Sequence, residues 1–133
     1  MAKCCFKFGK IIRDQLVDVM QDSGIIVHQK KLHKSEVLVE LKKKLLEEVE
    51  EVVASQNEKE LFEELGDVLE VVKALASFYD NSLSSVIEFA AKKAEAKGGF
   101  EKHAYVEYIE ISKSHPHFNY YKNQPKKYPE ILP

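Results

Sequence analysis

Apolar positions recur at helical spacing through most of the chain and predict four helices. Ile11, Ile12, Leu16, Val19 and Met20 form one stripe, which ends at Ser23-Gly24 as a helix closed by a glycine would. Leu38, Leu41, Leu45, Val49 and Val52 form a second, with Ser35 able to cap a helix that runs to about Val53. Leu61, Leu65, Val68, Leu69, Val72, Leu75 and Tyr79 form a third, opened by Asn57 and Glu60 in the pattern of a capping box. Leu83, Val86, Ile87, Ala90 and Ala94 form a fourth, starting at Asn81 or Ser82 and ending at Gly98-Gly99. All four prolines, at 116, 125, 129 and 133, follow these stripes, so none of the four helices is broken from within. Two other stretches, Ile25 to Val27 and Ala104 to Ile111, are rich in β-branched or aromatic residues and are expected to pair as strands. The expected fold is therefore mainly α, a four-helix antiparallel bundle with a small β annex. It occupies residues 1–112, and residues 113–133 form a tail rich in proline and aromatic residues.

A second pattern lies beside the core stripes. In the second helix, positions 37, 41, 44, 48, 51 and 55 alternate steps of four and three and hold Val, Leu, Lys, Glu, Glu and Ser. In the third, positions 64, 67, 71, 74 and 78 do the same and hold Glu, Asp, Val, Ala and Phe. Each row is apolar far from the connecting turn and acidic near it. The turn is very short, so the two helices must pack antiparallel. Glu51 and Glu64 share one sequence midpoint with Glu48 and Asp67, which brings four carboxylates to matching heights on facing helices. Four acids converging in a partly buried seam repel one another, and a divalent cation relieves that repulsion. The hairpin offers only oxygen ligands, with no Cys or His, which favours Mg2+, or Mn2+, over zinc or copper. The competing reading is a solvated acidic face paired with Lys42, Lys43 and Lys44.

Composition narrows the partners. A chain of 133 residues with 44% apolar residues is sized for one core, and a net charge of -2 from nearly balanced acids and bases points away from nucleic acid and membrane surfaces. The absence of a long apolar run makes the expected location cytoplasmic, and Cys4 and Cys5, adjacent and alone, read as reduced thiols. Among 20 basic residues Arg13 is the only arginine, so its planar, bidentate donor is a candidate for a phosphate or carboxylate partner. Lys93 and Lys97, one turn apart near the end of the fourth helix, are candidates for the same work.

At this point a resemblance can be named. Glu47-Glu48-Val49-Glu50-Glu51 followed by Glu64-Leu65-Gly66-Asp67 resembles the EExxE and ExxD motifs of the all-α NTP pyrophosphohydrolases, the superfamily of MazG, the dimeric dUTPases and phosphoribosyl-ATP pyrophosphohydrolase. Lys93 to Phe100 is similar to the KxxxRGGF close of the last helix in single-domain MazG-related members, and Ile12-Arg13-Asp14 to their VRDK. Lys97 stands where arginine is usual, and Gln15 where lysine is usual. The resemblance implies a MazG-like bundle with Mg2+ on Glu48, Glu51, Glu64 and Asp67, Glu47 nearby as a partner of water or of a second metal, and a homodimer. It further implies attack of water at the α-phosphorus of a nucleoside triphosphate, or of a related nucleotide such as phosphoribosyl-ATP, releasing pyrophosphate, with house-cleaning among the roles.

Two rivals come from other classes. A di-iron carboxylate bundle wants Glu-x-x-His on two helices, and no glutamate here has histidine at that spacing. A non-catalytic helical interaction module would expose its seams to partner helices and would not respond to metal.

Overall fold

The computed structural model describes residues 2–131. The chain divides into two compact units, Met1–Lys97 and Gly98–Pro133.

The first unit holds α1 (Asp14–Asp22), α2 (Lys34–Ala54), α3 (Glu58–Phe78) and α4 (Leu83–Lys97). Its centre is the α2–α3 pair, and α4 packs on α3. Among the described residues α1 packs on no other helix. The rows read from the sequence are the ones that meet. Leu41, Glu48 and Val71 are the buried positions of the two long helices, and Val37, Lys44, Glu64, Asp67, Ala74 and Phe78 along the same rows are half-buried.

Helix ends fix this arrangement. Gly24 adopts φ +95°, its N–H bonds to Gln21 O at 3.0 Å, and the Ile25 N–H reaches back to Met20 O at 3.1 Å. This paired closure ends α1 where the glycine predicted. The start of α2 falls two residues before the Ser35 reading allows, with His33 as cap and its N–H donating to the Glu36 carboxylate at 3.3 Å. Asn57 caps α3 as expected, its side-chain oxygen accepting from the Glu60 N–H at 2.9 Å, while the Glu60 carboxylate accepts from the Gln56 N–H at 3.0 Å. Only residues 55–57 separate α2 from α3, which forces the reversal. At the far end of α3, Asp80 takes a left-handed φ of 57° and the Asn81 N–H bonds to Ala76 O, turning the chain into α4.

The β annex does not form. Neither Ile25–Val27 nor Ala104–Ile111 is a strand, and there is no strand among the described residues. β-propensity reflects packing on a half-buried pleated surface, and a lone pair of short strands is at best marginal in water. The Ile25 N–H is committed to closing α1, and residues 104–110 are all exposed.

In the second unit the tail has order of its own. Phe118–Lys122 forms a short helix, α5; Tyr121 packs edge-on against Tyr120 and Tyr128, with ring centroids 5.1 and 5.0 Å apart, and Lys122 pairs with Glu130 at 3.3 Å. No helix among the described residues is long and apolar enough to cross a membrane.

Candidate metal centre

The seam places one carboxylate oxygen from each of Glu48, Glu51, Glu64 and Asp67 within 4.8 Å of the others. Glu48 and Glu51 come from the last two turns of α2, and Glu64 and Asp67 from the first three of α3, so the short turn between them sets the height at which all four meet. Adjacent helices approach to about 8–10 Å, close enough for side chains of this length to converge from both.

The electrostatics of the cluster are strained in the direction that a cation relieves. Burial pushes the Glu48 carboxyl above its ordinary value, and the charge of Glu51 adds to the effect. Glu51 is also pushed up, first by its close hydrogen-bonding approach to the Glu64 carboxyl and then by burial. Two buried oxygens, Glu48 Oε2 and Glu64 Oε2, accept no hydrogen bond from any described residue. A buried carboxylate oxygen with no donor costs free energy, which a positive ion beside the two would relieve. Every ligand atom is a hard oxygen, so the set fits a divalent cation of the magnesium type.

Cations of the chain itself pair with acids of this cluster and with Glu47 beside it. Lys44 lies 3.4 Å from Glu48 Oε1 and 3.4 Å from Glu47 Oε2. Lys10 pairs with Glu47 Oε1 at 2.5 Å, and this hydrogen bond lowers the Glu47 carboxyl and raises the Lys10 ammonium. The Arg13 guanidinium donates to Asp67 Oδ1 at 2.7 Å. Of the three lysines that would have explained the acids away as a solvated face, only Lys44 meets the seam; Lys43 turns to Glu40 at 3.2 Å.

Of the residues singled out in the sequence, Glu48, Glu51, Glu64 and Asp67 are gathered into one cluster, and Glu47 and Arg13 lie at its edge through shared ion pairs. Lys93 and Lys97 lie on α4, exposed and without a polar partner among the described residues. Lys10 was missed, and Lys44 was read only as a partner of the acids in the competing solvated face. Lys44 stands on the same four-three row as Glu48 and was legible there, whereas Lys10 lies outside any helix, where no period marks it. Beside Glu51 and Glu64, a cleft of about 200 Å³ is bounded by Ala54, Ser55 and Glu60.

The four carboxylates of this all-α hairpin form a group that could hold a metal ion. Residues 38–98, which span the hairpin and α4, match the family model of the MazG nucleotide pyrophosphohydrolase domain, and this stretch of the chain is MazG-like. No curated protein and no solved structure matches the chain.

Proposed function

We propose that the protein is a Mg2+-dependent nucleotide pyrophosphohydrolase that cleaves a nucleoside triphosphate, or a related nucleotide, to the monophosphate and pyrophosphate. The observation that carries this reading is the convergence of four carboxylates whose buried oxygens on Glu48 and Glu64 lack any donor, within a stretch that matches the MazG domain. Glu48, Glu51, Glu64 and Asp67 would hold the ion. When bound, Mg2+ supplies positive charge to phosphate oxygens as negative charge grows on them. Glu47, kept ionised by Lys10 and Lys44, orients the attacking water at the edge of the cluster. Arg13, Lys93 and Lys97 supply positive charge for the leaving pyrophosphate, Arg13 from a position already beside Asp67.

The test is a panel of nucleotides incubated with Mg2+ and scored for both phosphate products. Pyrophosphate is the expected primary product; orthophosphate alone would place the reaction in another class.

The working unit is proposed to be a homodimer or higher homo-oligomer. Leu41 and Val71 are the only buried hydrophobic residues among those described, while Leu46 is 64% exposed, Val53 80%, Phe62 65% and Phe89 75%. A helical domain that stopped there would leave most of its apolar faces in water. Sedimentation at micromolar concentration should return at least the dimer mass; a monomer would refute the assembly.

A further inference from the structure

The two oxygens of Glu48 have opposite surroundings. Oε1 faces the ammonium of Lys44 at 3.4 Å, whereas Oε2 is buried with no partner. Glu48 is the most buried acid of the cluster, at 7% exposure, and the Lys44 side chain, at 17%, is enclosed for a lysine. Lys44 also reaches Glu47 Oε2, so one ammonium spans the two adjacent carboxylates of α2. Residues three and four apart lie on one helical face, which makes this bracket a built-in property of the Lys44, Glu47, Glu48 spacing.

We propose that Lys44 is a positioning residue for the metal centre: by holding Glu48 Oε1 it fixes the rotamer that leaves Oε2 for the cation. The proposal rests on the reading of the four carboxylates as metal ligands. Hydrogen-bonded or ion-paired partners of ligating side chains fix ligand orientation, and their loss weakens metal binding by about 10–100-fold.

The inference can be separated from simple electrostatics because the two predict opposite signs. Removing a positive charge from beside a cation site should, by Coulomb's law alone, tighten cation binding. Removing an orienting partner should weaken it. The probe is Mn2+ alone, titrated by isothermal calorimetry into the nucleotide-free full-length protein. In Lys44→Met, which keeps the apolar stem, the Mn2+ dissociation constant should rise by about tenfold or more. Lys44→Arg, which keeps a charged donor, should restore most of the affinity. Lys43→Met removes the same charge one residue away, where the partner is Glu40, and should leave Mn2+ affinity unchanged or slightly tighter. Thermal melts without metal establish that each variant is folded; if Lys44→Met is not, Lys44→Gln is measured with the same expected direction.

A wild-type protein that binds no Mn2+ would overturn the metal centre itself, and the proposal with it. A wild-type protein that binds Mn2+ while Lys44→Met binds it equally or more tightly would leave the centre standing and overturn the role of Lys44. An unchanged Mn2+ affinity with a raised KM for nucleotide would reassign Lys44 to substrate binding.

Discussion

Asp67→Asn should lower nucleotide turnover by about 10²–10³-fold or more, the scale seen when one electrostatic stabiliser of a transition state is lost. The metal-free fold should be almost untouched. Among the described residues Asp67 makes one ion pair, with Arg13, and both side chains are substantially exposed, at 40% and 56%. Such a pair contributes about 0–1 kcal/mol. Against that loss, the substitution removes one of four mutually repelling charges. The expected pattern is a melting temperature without metal that stays level or rises, weaker Mg2+ binding, and turnover near background. An Asp67→Asn protein that turns over normally, or that is unfolded without metal, would identify a structural acid instead.

Glu48→Gln should have the largest effect on stability, and the sign follows from the direction of its shift. The folded chain holds the Glu48 proton to higher pH than the unfolded chain does, because burial and the neighbouring Glu51 disfavour the ionised form. Between the ordinary value of 4.5 and the raised folded value, the folded state therefore binds more protons, and its stability falls as pH rises. Glu51 is shifted in the same direction and deepens the slope. Glu47 is shifted the other way: its contribution is present above 4.5 and is lost as pH falls through its lowered value, so it acts on the acid side of the window. The metal-free wild type should therefore melt progressively earlier as pH rises from 4.5 through the raised folded value. Glu48→Gln should flatten that slope and raise the neutral-pH melting temperature by about 4 °C for each kcal/mol of repulsion relieved in a chain of this size. It should also abolish the response to Mg2+, which in the wild type should reach about 2.7 kcal/mol at a hundredfold excess over the dissociation constant. Scanning calorimetry across pH, with and without Mg2+, measures both. A variant that melts earlier than wild type without metal and still gains from Mg2+ would contradict the assignment.

The hairpin and its acidic cluster were legible because so little had to be known to place them. Two helices with a three-residue connection have one way to reverse, and the alternation of four and three along each row selects the faces that meet; Leu41, Glu48 and Val71 are buried for that reason. Gly24 and Asn57 were legible for a local reason, since each closes or opens a helix with its own backbone or side chain. What failed depended on partners outside the local pattern. Ala104 to Ile111 has strand composition, but composition cannot supply the neighbouring strand or the covering face that makes a strand stable. Lys10 finds Glu47 from far away in sequence, and nothing in an irregular segment marks such a meeting in advance. Lys44 was visible on the seam but was read by residue type, which for lysine means solvent; the geometry shows that a lysine on an acidic row can be enclosed by the acids it balances.

The three-residue connection between α2 and α3 also bears on how the site comes into being. The proposed metal ligands, from Glu48 to Asp67, all belong to one continuous piece of chain folded back on itself. Closing so short a loop costs little chain entropy, because that cost grows with the logarithm of the length enclosed. Contacts close in sequence also form faster than distant ones. The ion-holding residues therefore need no distant part of the polypeptide to find one another. Losing Lys10 or Arg13 would remove the cations that pair with Glu47 and Asp67 while leaving the mutual arrangement of the acids intact.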